Sequence, residues 1–366
     1  MSKESIKVLI VDDSIVMLQL LQELFALDAS ISVVGVAKDA FEARDLIKRI
    51  NPDVITLDIM MPGMDGLTFL KNLMRLRPLP VVMLSSFTKP NSEIAIKALA
   101  EGAVDYLPKP TAKQLKNPTK YAKKLLSAVK NAAKANVKSR ISLESSSMIS
   151  ESKLLLSSEL LTNEIIAMGA STGGIEAIEI LLPQFPKFFP PVLLTQHISK
   201  AFSPIFLKRL QRICRLKIKA AENGDIISPG CLYLAVPGRH MVLSKCNNSY
   251  CINLIDSQLI YSHKPSVDVL FSSVAEVAGE HSIGILLTGM GKDGAQGMKK
   301  MRDAGGKTIA QDQASSVVWG MPSAAINLDA VDYVVPLKQI LVTILNILDD
   351  KAKSYLHFNA KGSGNA

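Results

Sequence analysis

The chain has 366 residues, of which 48% are hydrophobic and 20% charged; this excludes wholesale disorder and, at about 150 residues per domain, favours two compact α/β domains with a linker. No apolar run approaches the roughly 18 residues that a membrane span needs, and Met1 to Lys7 lacks the apolar segment of a signal peptide, so a cytoplasmic location is expected. The net charge of +9 is local: ten Lys and Arg lie between Pro108 and Leu143 without one acidic residue, so the rest of the chain sums to 9 − 10 = −1.

Tyr121, Leu125, Ala128, Val129 and Ala132 recur at helical spacing in that basic stretch, which makes its lysines the polar face of a helix rather than a nucleic-acid patch. The four cysteines, Cys214, Cys231, Cys246 and Cys251, form no C-x-x-C pair. They are expected as reduced thiols, with neither a zinc site nor a disulfide framework.

Five short apolar runs, Val8 to Val11, Ser32 to Ala37, Val54 to Leu57, Val81 to Leu84 and Val104 to Leu107, alternate with helical patterns. The alternation predicts a parallel five-stranded sheet covered by helices, with any ligand at the carboxyl ends of the strands. Asp12 and Asp13 follow the first strand, Asp58 the third, Ser85 the fourth and Lys109 the fifth. Three acids brought together repel one another, and a hard dication such as Mg²⁺, held by Asp12, Asp13 and Asp58, removes the conflict. Lys109 then pairs with phosphoryl oxygens, Ser85 hydrogen-bonds one of them, and Asp58 serves as the phosphoryl-accepting nucleophile. The alternative is that the acids cap helices, which is strong for Asp13 alone, placed just before a helix near Ser14.

Read in order as VDD, LDIMMPGMDG, SS and KP, these residues resemble the receiver domain of bacterial response regulators, with its flavodoxin-like fold. The resemblance implies a histidine kinase as phosphodonor, a joint movement of Ser85 and Tyr106 on modification of Asp58, and a cis bond between Lys109 and Pro110.

The receiver is placed at residues 1–128, and a basic, Ser-rich linker at 129–161. A second, doubly wound and mostly parallel α/β domain is placed at 162–350, and a disordered tail at 351–366. In the second domain Ile165 to Met168, Val192 to Thr195, Ile283 to Thr288 and Thr308 to Ala310 read as strands, with a helix from Ile175 to Leu182, while residues 225–260 read as short antiparallel strands.

Gly169-Ala170-Ser171-Thr172-Gly173 spells G-x-S-x-G between a strand and a helix, the setting of a serine nucleophile with free backbone N–H groups beside it. A Gly-rich turn of this kind also cradles phosphate, so the motif alone leaves both readings open. His197 ends the next strand and Asp293 lies in the loop after a later one. Together they permit His197 to take a proton from Ser171 and Asp293 to orient the imidazole, in the chain order Ser, His, Asp. Asp312 and the histidines His240, His263 and His281 are rivals on spacing. The loop Gly291-Lys292-Asp293 lacks the Ser or Thr of a Walker motif, which argues against a nucleotide site.

The motifs GASTGG, LLTQH, HKPSVDVLF, ILLTGMGKDGA, TIAQD and GMP resemble the catalytic domain of the CheB family, the chemotaxis protein-glutamate methylesterases. The resemblance implies a phosphorylation-activated hydrolysis of glutamyl γ-methyl esters on methyl-accepting chemotaxis receptors, with deamidation of receptor glutamines and no cofactor for hydrolysis. It makes Ser171 the nucleophile, His197 the base and Asp293 its partner, with Thr172 and the Met290 backbone at the oxyanion site. It further implies a CheA-type kinase as partner, no DNA and no membrane insertion. A DNA-binding second half and a noncatalytic adaptor are the rival functions; the first lacks a helix-turn-helix pattern.

Overall fold

The computed structural model describes residues 5–85, 89–115, 118–137, 163–247, 249–259 and 263–362, with backbone alone at 89–92, 112–113 and 354–362. The chain divides into two compact units, residues 1–145 and 146–366. The expected linker lies largely outside the described residues.

In the first unit β1 (Ile6–Val11), β2 (Ile31–Ala37), β3 (Val54–Asp58), β4 (Val81–Ser85) and β5 (Asp105–Pro108) form one sheet in the order β2-β1-β3-β4-β5. Every pairing is parallel. All five residues of β3 and of β4 are buried, as continuous apolar strands covered on both faces must be. Helices α1 (Ile15–Ala26), α2 (Ala40–Ile50), α3 (Gly66–Leu76), α4 (Lys89–Ala100), α5 (Ala112–Leu115) and α6 (Thr119–Ala132) complete the unit. Ser14, Asp39 and Asp65 cap α1, α2 and α3 through their side chains, each satisfying a backbone N–H that the first turn leaves open. The basic stretch does form a helix: α6 buries Tyr121, Ala122, Leu125, Ala128, Val129 and Ala132 and leaves Lys120, Lys123 and Lys124 exposed.

The second unit holds β6 (Ile165–Ala170), α7 (Gly174–Leu181), β7 (Val192–Gln196), α8 (Ser203–Ile213), β8 (Lys217–Ala220), β9 (Cys231–Leu234), β10 (His240–Cys246) and β11 (Ser249–Ile255). It continues through α9 (Val267–Ala278), β12 (Ser282–Leu286), α10 (Ala295–Asp303), β13 (Lys307–Gln311), α11 (Met321–Asn327), β14 (Tyr333–Val335) and α12 (Ile340–Gly362). Seven strands form a parallel sheet in the order β14-β13-β12-β6-β7-β9-β8, and β10 pairs with β11 in a separate antiparallel hairpin. The core gathers Phe271, Val274, Leu286, Met298 and Met321 around the central strands. Gly297 lets α10 approach α9 closely, since a Cβ there would stand 2.6 Å from that of Phe271.

Four expectations need correction. Residues 225–260 are not all antiparallel: β10 pairs with β11 and Ile226 bridges antiparallel to Cys251, but β9 joins the main sheet parallel to β7 and β8. Cys246 and Cys251 are disulfide-bonded, since the hairpin brings their Cα atoms to 5.8 Å, while Cys214 and Cys231 are free. The cis peptide among the described residues is Lys264–Pro265, not Lys109–Pro110; an X-Pro bond takes either isomer at small cost, so only local packing selects it. Past Asp350, where a disordered tail was expected, α12 continues through Gly362. Its near end is tied down by Lys351, which pairs with the buried Glu164 at 2.6 Å.

Phe271 is fully buried in the core of the second unit. Replacing it with alanine is expected to lower the stability of that unit by about 3–5 kcal/mol, measured as a reduced urea midpoint of its unfolding transition. A midpoint equal to wild type would contradict this placement.

Candidate functional site

In a parallel sheet the strand carboxyl ends share one edge, and a ligand crevice opens where neighbouring strands connect in opposite directions. The first sheet has that switch between β1 and β3. Asp12, just past β1, is fully buried, Asp58 ends β3 at 3% exposure, and Asp13 is exposed. Carboxylate oxygens of these three residues lie within 4.8 Å of one another. Lys109, past β5, reaches Asp12 Oδ2 at 2.7 Å and Asp58 Oδ2 at 2.9 Å. Burial pushes the Asp58 carboxyl up, the Lys109 ammonium opposes that rise, and Asp12 adds to it. Burial also works against the charge on Lys109, but its contacts with Asp12 and Asp58 prevail and raise its pKa.

The helix-cap alternative fails for these acids, because Ser14 caps α1 and Asp12 accepts the Ser14 N–H at 3.0 Å. Ser85 Oγ is fully buried and has no hydrogen-bond partner among the described residues. Tyr106 is buried with its hydroxyl 3.5 Å from the Ser85 carbonyl oxygen. An all-oxygen cluster of three acids, one of them exposed, suits a hard dication such as Mg²⁺ that keeps part of its water. One ammonium cannot balance three carboxylates, and among the described residues nothing occupies the buried Ser85 hydroxyl, which suits an incoming oxygen.

The second sheet changes direction at β6, between β7 and β12. These adjacent strands carry the three residues singled out on spacing: Ser171 follows β6, His197 follows β7 and Asp293 lies in the loop after β12. His197 Nδ1 lies 3.1 Å from Ser171 Oγ, and His197 Nε2 lies 2.8 Å from Asp293 Oδ2. A carboxylate only accepts, so the imidazole hydrogen sits on Nε2 and the Nδ1 lone pair faces the serine hydroxyl.

Asp293 is 2% exposed. Its Oδ1 accepts from Ser266 Oγ at 2.7 Å and Asp268 N at 3.0 Å, and its Oδ2 from Val267 N at 2.9 Å. These donors form the start of α9, where open N–H groups and the helix dipole favour an anion. Burial alone would raise the carboxyl pKa; the bonds from His197, Asp268, Ser266 and Val267 outweigh it and pull it below the ordinary value.

The turn after β6 is held from several sides. Gly173 has φ +75°, and a Cβ there would stand 2.6 Å from Val317. The Thr288 hydroxyl sits 3.0 Å from the Thr172 carbonyl oxygen and accepts from Val318 N at 2.9 Å. The Gln196 amide donates to the carbonyls of both Ser171 and His197, each at 3.0 Å, coupling the backbones of the two residues. The Ser171 N–H is spent on Thr288 O at 3.1 Å. Among the described residues the N–H groups of Thr172 and Met290 have no such partner, which leaves both as donors beside Ser171. Met290 itself is 40% exposed.

The rivals separate cleanly. Asp312 is occupied as a turn cap, accepting from Ser315 N at 2.9 Å and Ser315 Oγ at 2.6 Å. His281 faces the buried Glu164 at 3.3 Å, and His240 is buried behind Ser266. His263 does join the site: its ring stacks on that of His197 with centroids 3.8 Å apart and planes 8° from parallel. Burial, and then the neighbouring His197, lower its pKa. Spacing offered His263 only as one of several candidates. Ser266 had a visible signal, a serine directly ahead of an apolar helical run, but that signal names a cap and not what else the cap holds.

The CheB methylesterase family model matches residues 166–344 and the response regulator receiver domain model residues 8–117. A protein-glutamate methylesterase/protein-glutamine glutaminase of Saccharophagus degradans is 43% identical over 340 residues, 93% of this chain and 98% of that protein. One from Xanthomonas euvesicatoria is 46% identical over 345 residues, 93% and 96% of the two chains. The crystal structure of the Thermotoga maritima CheB methylesterase catalytic domain shares 34% identity at a TM-score of 0.50, covering 50% of this chain and 98% of that one.

The receiver site has an electrostatic cost next to it. Burial pushes the Asp105 carboxyl from 3.8 up to about 6, against the one Tyr106 N–H that it accepts. The folded state therefore binds a proton that the unfolded state has already released, and stability falls as pH rises from about 4 to 6. Asp105→Asn is expected to remove that decline and to raise the stability of the first unit at pH 7, checked by urea unfolding across the range. An unchanged pH dependence would refute it.

Proposed function

Because the chain belongs to the family of protein-glutamate methylesterase/protein-glutamine glutaminases that carry a receiver domain, we propose that it hydrolyses glutamyl γ-methyl esters of methyl-accepting chemotaxis receptors under the control of phosphorylation at Asp58. The observation that carries this reading is the continuous hydrogen-bonded line from Ser171 through His197 to Asp293 at the switch point of the second sheet.

Ser171 Oγ attacks the ester carbonyl carbon as its proton passes to His197 Nδ1. The oxygen that becomes anionic meets the Thr172 and Met290 N–H groups, and each such donor is worth roughly a hundredfold to a thousandfold in rate. The tetrahedral centre expels methoxide, which leaves as methanol with the proton from His197. Water then attacks the acyl-serine, again giving its proton to His197, and the glutamate carboxylate and Ser171 are released. Asp293 stays ionised throughout and stabilises the imidazolium. A glutamine side chain fits the same sequence with ammonia as the leaving group, and no step needs a cofactor.

In the receiver, Asp58 accepts a phosphoryl group from a phosphohistidine of a CheA-type kinase. Asp12, Asp13 and Asp58 would hold a Mg²⁺, which when bound would supply charge neutralisation for that group, while Lys109 pairs with its oxygens and Ser85 hydrogen-bonds one of them. Tyr106, against the Ser85 carbonyl, moves with Ser85 and carries the change to the receiver surface. Among the described residues no helix is long and apolar enough to cross a membrane, and the proposed site of action is the cytoplasmic part of the receptor. The family match favours this reading over a DNA-binding second half.

Methanol release from methyl-esterified receptor membranes tests both halves. Ser171→Ala is expected to lower the rate by about 10⁶-fold, and retained activity would refute the assigned nucleophile. Wild type is expected to be stimulated by a small phosphodonor with Mg²⁺ and Asp58→Asn is not; equal stimulation of the two would refute phosphorylation at Asp58.

A further inference from the structure

Behind the line formed by Ser171, His197 and Asp293 runs a second row of polar groups, built on two buried side chains and ending on the backbone of the exposed Gln258. Ser266 and His240 are both fully buried. We propose that these two are positioning residues for Asp293, an inference that rests on the reading of Ser171, His197 and Asp293 as an acyl-transfer triad.

The direction of every link in the row is determined. The Ser266 backbone N–H lies 3.1 Å from His240 Nδ1, and an amide N–H only donates, so Nδ1 carries a lone pair. The ring hydrogen is then on Nε2, where it donates to the Gln258 carbonyl oxygen at 3.0 Å. His240 is thus a neutral imidazole in a single tautomer. The Ser266 hydroxyl oxygen accepts from Val269 N at 3.4 Å, and its one hydrogen is left for Asp293 Oδ1 at 2.7 Å. Each donor points toward an acceptor, and no buried group in the row competes for the same hydrogen.

The row ends on the carboxylate oxygen that does not face His197. Oδ2 serves His197 and the Val267 N–H, while Oδ1 is held by Ser266 and the Asp268 N–H. With both oxygens pinned, the carboxylate plane is fixed, and with it the direction from which Oδ2 meets the imidazole. Removing the Ser266 hydroxyl leaves Oδ1 a single donor, the Asp268 N–H, and rotation about the Cβ–Cγ bond is then opposed less strongly. His240 acts one step further back. By accepting the Ser266 N–H it fixes the backbone at the helix cap, and through Gln258 it ties that cap to the segment following β11. A residue that merely filled the core would not need Nδ1 as an acceptor, and a helix cap alone would not need the Ser266 hydroxyl hydrogen directed at Asp293 Oδ1.

The test uses the full chain and methanol release from methyl-esterified receptor membranes, comparing Ser266→Ala, His240→Leu, His240→Asn and Ser171→Ala, with a thermal melt of each. Loss of one hydrogen bond to a buried charge predicts that Ser266→Ala lowers kcat by about tenfold to a hundredfold, with KM within about twofold of wild type. His240→Leu is expected to fall in the same range. His240→Asn, whose Oδ1 can stand where Nδ1 stood and accept the Ser266 N–H, is expected to recover most of that loss. If His240→Leu does not fold, Ser266→Ala and His240→Asn carry the comparison. Wild-type kcat in Ser266→Ala, a change confined to KM, or equal losses in His240→Leu and His240→Asn would each overturn the proposal. Activity retained by Ser171→Ala would overturn the triad itself, a separate failure.

Discussion

A carboxylate that is 2% exposed remains an anion only if hydrogen-bond donors replace the water it has lost. Asp293 meets that condition by lying at the start of α9, and much of the second unit is arranged around the arrangement. The chain must turn sharply before Ser266 to present the helix start to Asp293. The loop after β12 must bring Asp293 across to it, and Gly294, at φ +95°, allows α10 to begin immediately afterwards without a Cβ striking Val267. A helix start elsewhere would leave an uncompensated charge beside the imidazole, and the imidazole would lose its orientation with it.

The same physics is solved differently in the receiver. There the buried acids have few backbone donors and rely on one lysine, so their charge is only partly offset. That suits the proposed role of this site in receiving a cation and a phosphoryl group, as full compensation would leave no reason for either to bind. In the hydrolase the anion is permanent and the compensation is built in. The donor inventories of Asp58 and Asp293 thus differ in the sense that the proposed roles require, one carboxylate to be modified and the other to stay unchanged.

Both sites were legible in the sequence because parallel strands deliver their carboxyl ends to one edge, so a residue just past an apolar run can be assigned to that edge without coordinates. Ser171, His197, Asp12, Asp58 and Lys109 are of this kind, and Asp293 lies in the loop that leaves β12 at the same edge. What could not be read depends on contacts between segments far apart in the chain. Nothing local marks His240 as the acceptor of the Ser266 N–H or stacks His263 on His197. The bond between Cys246 and Cys251 required knowing that β10 and β11 fold back on each other in one register. The short strands β8 and β14 carry too few residues for alternation to be recognised, and the isomer at each X-Pro bond is decided by packing. The family motifs supplied roles for the triad, but the supporting row behind it came only from geometry.

The brevity of those outer strands has a consequence for association between molecules. An open seven-stranded sheet ends in two edges that no further strand of the sheet covers, each a template on which a strand of another chain could add. On one side β8 offers four residues, with Lys217 exposed, Lys219 paired with Asp225 and the Ile218 carbonyl already accepting from Gln211, so an incoming strand would meet a charge and an occupied acceptor along a short line. On the other, β14 offers three residues, and its exposed Tyr333 and Val334 are apolar enough to invite a neighbour but too few to hold one. Lateral growth of the sheet is thereby discouraged by charge at one margin and by shortness at the other.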